Sequence, residues 1–176
     1  MRKTIEFEFL GNNYRTHQFA AAIGVTLLCE NDGELDPIAI LTNTAVMTNN
    51  GWVQLNEANR IDDLVADSMG LISPADVLMG LCARVYSENF DFLGKWKPID
   101  IPRRLVVPID AEMEAPRMDP VISLVVIAGK ATLRELEEYY STEDAFKMYD
   151  VIAIDNLNKA LGSEAALNEA KTRKHR

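Results

Sequence analysis

The sequence predicts a mainly helical α+β chain. It reads as an N-terminal β-hairpin on a helical body over 1–97, a proline-rich connector over 98–119 and a C-terminal helical segment over 120–176. Three observations carry this reading. Ile5, Phe7 and Phe9 alternate with Glu6 and Glu8, the period of two of a half-buried strand. Asp36-Pro37, Ser73-Pro74, Thr132 to Glu135 and Ser141 to Asp144 are helix-start signals, each followed by apolar residues at helical spacing. Five of the seven prolines (Pro98, Pro102, Pro108, Pro116 and Pro120) lie in one stretch, where missing donors and fixed φ disfavour a helix.

The elements follow in order. Gly11-Asn12-Asn13 tolerates positive φ, and Tyr14 and Thr16 resume the alternation, so 3–18 is a hairpin candidate. A lone hairpin is marginal in water, so it must lie on helices or pair with another chain. Phe19 to Cys29 is apolar and Ala-rich and predicts a helix, broken by Asn31-Asp32-Gly33. Asp36 and Pro37 open a second helix that carries Ile38, Ile40, Leu41, Ala45 and Val46 and ends at Asn49-Asn50-Gly51. Trp52 to Leu55 is a short extended piece. Asn56 caps a helix with Ile61, Leu64, Val65 and Met69 on one face. Ser73-Pro74 opens one with Val77, Leu78, Leu81, Val85 and Tyr86. The connector's apolar first part, including Phe92, Trp96, Ile99 and Ile101, is expected on the body, and its polar part over 110–119 is expected to be mobile. A helix then runs from Pro120 to about Ala128, the two capping signals open two more, and Gly162 ends the last of these before Ser163 caps a final polar helix.

The totals bound the function. The 176 residues are 48% hydrophobic, enough to bury a core, and carry a net charge of −9. That balance excludes a broad basic face for nucleic acid or anionic membrane. The basic tail from Lys171 to Arg176 suits a helix C-terminus and has no interleaved aromatic residue. Cys29 and Cys82 sit in apolar helical runs, as small buried hydrophobes of a reducing compartment do. No signal-peptide core or membrane-length apolar run is present, so a cytoplasmic location is expected.

Signals of catalysis are sparse. There are two histidines, His17 and His175, and no metal-ligand spacing, nucleophile elbow, phosphate loop or dinucleotide fingerprint. The acid pairs Asp62-Asp63, Glu137-Glu138 and Glu143-Asp144 read as solvated helix faces or first-turn acids. A small enzyme or ligand-binding domain would have to use His17 with a nearby carboxylate, and would need a dry, mostly apolar pocket around it. No enzyme, cofactor or metal is expected. Trp52, Trp96 and Tyr139-Tyr140 are candidate binding anchors, with core packing the competing role.

Three stretches together carry a resemblance. They are Lys3 to Thr16; Val85 to Leu93 with Trp96 and Ile101-Pro102; and Ala131-Thr-Leu-Arg-Glu-Leu-Glu-Glu-Tyr-Tyr-Ser-Thr-Glu-Asp-Ala145 followed by Met148 to Ile154 and Asn156 to Asn158. This pattern resembles the tail assembly chaperones of long-tailed bacteriophages. The resemblance implies a non-catalytic protein of the host cytoplasm. Its partners would be the tape-measure protein and tail tube subunits, and its C-terminal helical segment is often added by ribosomal frameshifting. Self-association stays open. The alternative is a structural tail, connector or baseplate protein kept in the virion. The expected binding surface is Leu133, Leu136, Tyr140, Phe146 and Tyr149, with Ile5 and Phe7 of the hairpin.

Overall fold

The computed structural model describes residues 2–29, 36–97, 99–105 and 118–174. The described chain is mainly helical with a small antiparallel sheet near its N-terminus, an α+β fold. Strand β1 (Thr4–Phe9) and strand β2 (Asn12–His17) form the expected hairpin. Phe9 faces Asn12, so the turn is the two residues Leu10 and Gly11, at φ 47° and 77°. Asn12 and Asn13 belong to the strand, because a two-residue turn with both φ positive matches the strand twist.

The hairpin does not stand alone. Strand β3 (Thr44–Thr48) pairs with β2, and β4 (Gly51–Gln54) pairs with β3, giving the order β1-β2-β3-β4. This corrects the second predicted helix. After helix α1 (Ala21–Cys29), α2 (Pro37–Leu41) starts at the Asp36 cap but stops at Leu41. Ala45 and Val46, expected on that helix, lie in β3. The β-branched Thr44, Val46 and Thr48 favour a strand, and Asn49-Asn50 is a hairpin turn rather than a helix stop. Thr44 Oγ1 donates to Thr16 Oγ1 across the strands at 2.9 Å, which lets two buried hydroxyls satisfy each other.

One face of the sheet packs on helix α4 (Pro74–Phe90). Tyr14, Val46, Leu55, Val77, Leu81 and Val85 are all buried in this first core. Gly80 lets the tip of Phe9 reach the helix, where a Cβ would stand 2.8 Å from the ring. Burial pushes the Cys82 thiol up to about 11, with the charge of Asp36 a second cause. Cys29, expected to be buried, is exposed, and its Sγ lies 3.2 Å from Asp119 Oδ2. Helix α3 (Ala58–Leu64) ends before Met69, and its N-cap is Glu57, without a side-chain cap, rather than Asn56.

The expected connector is not purely extended. Helix α5 (Phe92–Lys95) precedes it, a 3₁₀ turn (Arg103–Leu105) interrupts it, and most of its polar part lies outside the described residues. The C-terminal helices are α6 (Pro120–Ile127), α7 (Leu133–Glu138) and α8 (Thr142–Lys174). Both capping boxes form. Thr132 and Glu135 satisfy each other's backbone N–H, and Ser141 and Asp144 do the same.

Helix α8 does not break at Gly162. It runs through all 33 residues. Gly162 lies outside the glycines at positive φ, and Ser163 donates its hydroxyl to the Lys159 carbonyl instead of capping a new helix. A segment running beside α8 braces it. Trp96 Nε1 donates to Asp150 Oδ2 at 2.8 Å, and Arg104 Nε reaches both oxygens of Glu164 at 3.0 and 3.1 Å.

The C-terminal helices are docked on the body through α1. Ala21 and Val25 of α1 share a second core with Ile122, Val125, Leu136 and Ile152. Ala21 N donates to Tyr140 O at 2.8 Å. Gly24 meets Thr142 so closely that any Cβ there would overlap the threonine hydroxyl. Gly24→Ala is therefore expected to destabilise the fold by about 1–3 kcal/mol in urea denaturation, and adding Thr142→Ala should recover part of that loss. Gly162→Ala, whose Cβ meets nothing, should instead stabilise by about 0.8–1 kcal/mol, since the position is helix interior.

Candidate functional site

The residues expected to bind partners do not form one surface. Leu136 is fully buried, because its helix turns it into the second core. Phe146 and Tyr149 are half-buried, and both pack edge-on against Trp96 at ring distances of 5.0 and 6.5 Å. Tyr140 is half-buried against the second core, with Tyr139 outside it. Leu133 is 38% exposed. Ile5 and Phe7 lie on the core face of β1, where Phe7 stacks on Tyr14 at 5.8 Å. The aromatic spacing on α8 reflects the seam with α5 rather than an open face.

That seam holds a cleft of about 490 Å³ between α4, α5 and α8. Its polar groups are largely committed within the chain. Asn89 accepts from Phe19 N and donates to Val85 O. Glu88 pairs with Arg84, and Glu143 with Lys147. Asp150 is held by Trp96 through one oxygen, while its other oxygen is enclosed without a hydrogen-bond partner. The Asn89 and Trp96 bonds tie separate elements together across the cleft.

His17 is exposed, and its Nδ1 lies 2.8 Å from Thr4 Oγ1. It lines a recess open to solvent, with Arg2, Asn43, Glu138 and Tyr139. The recess is open, where a His17-based enzyme or ligand site is expected to need a dry pocket. Among the described residues no group of three His, Cys, Asp or Glu is placed to hold a metal, and no helix is long and apolar enough to cross a membrane.

The surface that stands out is the α3–α4 connection. Met69 is 74% exposed, Leu71 79% and Met79 70%, with Ile72 exposed beside them. Met69, Leu71 and Ile72 lie within four residues of one loop, and Met79 is on the helix that follows, which makes this the candidate interaction surface. The loop is held rigidly. Buried Asp67 accepts from Met69 N at 3.1 Å, Leu71 N at 2.8 Å and Ile72 N at 3.3 Å. Ser68 Oγ donates to Leu10 O and Asn12 Nδ2 to Ala66 O, which ties the loop to the β1–β2 turn. Gly11 permits that contact, since a Cβ there would overlap Ser68 Oγ.

Beside this loop a groove of about 340 Å³ is lined by Ile61, Val65, Pro74, Ala75 and Leu78, with Asp62 at its edge. Asp63 and Asp76 are exposed on the same two helices. The groove is thus apolar and preformed, with Asp62 at its edge and two further acids on the same helices. A loop held in advance binds at a lower entropic cost than one ordered on contact, and methionine adapts to irregular partners. Sequence reasoning placed Met69 on a helix and missed this face. The available signal was Asp67-Ser68-Met69-Gly70, an Asp whose side chain can organise its own turn.

Fold and surface together define a small α+β protein with a preformed apolar groove that has Asp62 at its edge. Comparison of the chain with protein-family models, curated proteins and solved structures found no match.

The Asp67 carboxyl is held below its ordinary range, first by the Met69 and Leu71 amides, against the effect of burial, with Ile72 adding to them. A lowered folded pKa contributes stability that is complete above the ordinary carboxylate range and is lost as pH falls through the lowered value. The amide resonances of Met69, Leu71 and Ile72 should therefore titrate together, with one midpoint below that of a free aspartate. In Asp67→Asn this shared transition should vanish.

Proposed function

We propose that the chain is a non-catalytic assembly chaperone of a long-tailed bacteriophage. It acts in the host cytoplasm on the tape-measure protein and on tail tube subunits. The resemblance of the three sequence stretches supports this reading. The structural observation that carries it is the rigid apolar face of Met69, Leu71, Ile72 and Met79. A tape-measure protein is long and helical, and an amphipathic client helix is read by an apolar groove with charge at its margins. The acids Asp62, Asp63 and Asp76 select a client whose apolar stripe is flanked by Lys or Arg.

Co-expression with the tape-measure protein tests this. The client should become soluble and co-purify with the chain. A Met69→Asp, Leu71→Asp double variant should keep its fold by circular dichroism and lose the client. Absence of any complex with the unaltered chain would end the reading.

A structural role in the virion is the second reading. It is favoured by the outer edge of β1, which pairs with no strand among the described residues and where a neighbour could add one. Quantitative mass spectrometry of purified particles beside an infected-cell lysate separates the two. The chaperone should be abundant in the lysate and missing from particles. A fixed copy number per particle would make it a structural protein.

A further inference from the structure

Among the described residues, the end of α8 makes no hydrogen bond or ion pair to another element beyond Glu164. The last cross-chain bond of this helix is between Arg104 and Glu164. Residues 165–173 are all exposed, and Leu167 among them is 63% exposed. At 1.5 Å per residue the helix beyond Glu164 extends about 15 Å, more than the length of α3. Lys171 follows Leu167 by four residues, so an apolar knob and a cation share one face, and Arg173 adds a second cation. Neither base joins any ion pair found among the described residues, and neither do Asp62 at the groove edge and Asp63 beside it on α3.

We propose that the α3–α4 groove of one copy receives the α8 end of a second copy, so that the chain associates with itself head to tail. Charge selects this pairing over the alternatives. Two grooves brought together would oppose Asp62, Asp63 and Asp76 to their own copies. Two α8 ends would oppose Lys171 and Arg173 to theirs. Only the unlike contact places base against acid while Leu167 enters the apolar floor of Ile61, Val65 and Leu78. Each copy carries one groove and one helix end, so the contact is heterologous. It builds an open series or a ring rather than a two-fold dimer. The surface is the one assigned above to a client, but the self-contact requires no client and is tested without one.

The test is sedimentation velocity of the full chain alone, over a concentration series at low and high salt. Average mass should rise past that of a dimer with concentration, and high salt should weaken the association. The pair Lys171→Glu, Arg173→Glu should weaken it by about tenfold or more, as should the pair Asp62→Lys, Asp63→Lys, which leaves the Ser73–Asp76 cap of α4 intact. All four side chains are on exposed positions, so both variants should keep the wild-type thermal melt. Mixing the two charge-reversed proteins should restore association, because each then offers the other an unlike partner. A monomer at every concentration and salt would overturn the proposal. So would unchanged association in either variant, or a mixture that stays monomeric. Neither result would bear on co-purification with the tape measure, which decides the client reading separately.

Discussion

The crossing of α1 over the start of α8, at Gly24 and Thr142, is the constraint on which the arrangement depends. Phe19 belongs to the first core and Ala21 to the second, so the chain changes cores within three residues. Between them Ala20 forms an isolated bridge with Ser141, the N-terminal cap residue of α8. The switch can be this abrupt because α1 meets α8 at Gly24, where no side chain stands between the helix and Thr142. With no Cβ at position 24, α8 can lie against the helix. The capping box at Ser141 then sets where α8 starts, and the Trp96 and Arg104 contacts brace its first two-thirds. Sheet and C-terminal helices are thereby parts of one body, although the connector between them is rich in proline.

Much of this was legible where local chemistry decides the structure. Asp36, Ser73, Thr132 and Ser141 all act as N-caps or capping-box residues, and the alternation of Ile5, Phe7 and Phe9 reads directly onto β1. The errors fell where tertiary context outweighs propensity. Thr44 to Thr48 is too short to show a clean period, and its register is set by pairing with Tyr14 and Thr16 far back in the chain. Gly162 and Ser163 have the composition of a helix end, yet the Arg104 contact one residue later sits on an unbroken helix. A glycine within a helix costs about 1 kcal/mol, an amount that neighbouring contacts readily offset.

The candidate surface was harder to read, for a physical reason. Core and interface positions share one periodicity, so Leu136, Phe146 and Tyr149 looked like a binding stripe until their neighbours were visible. The exposed face lies on a loop, where no period exists to betray it. Its order comes from one carboxylate that holds three amides and from a serine reaching the β1–β2 turn. A surface of that kind is written in turn chemistry, which specifies backbone shape without specifying which side chains will face water.

The two tryptophans divide the molecule between them. Trp52 lies on the outer face of the sheet beneath the Arg15 guanidinium, 4.6 Å from its ring centre. Trp96 sits in the seam, its indole bonded to a carboxylate of α8 and its ring against Phe146. The protein thus carries two native fluorophores in contrasting electrostatic settings, one under a cation and one beside an anion. Replacing either leaves an optical reporter for one half alone. Loosening of the C-terminal helices then becomes visible in the emission of Trp96 while the sheet stays silent.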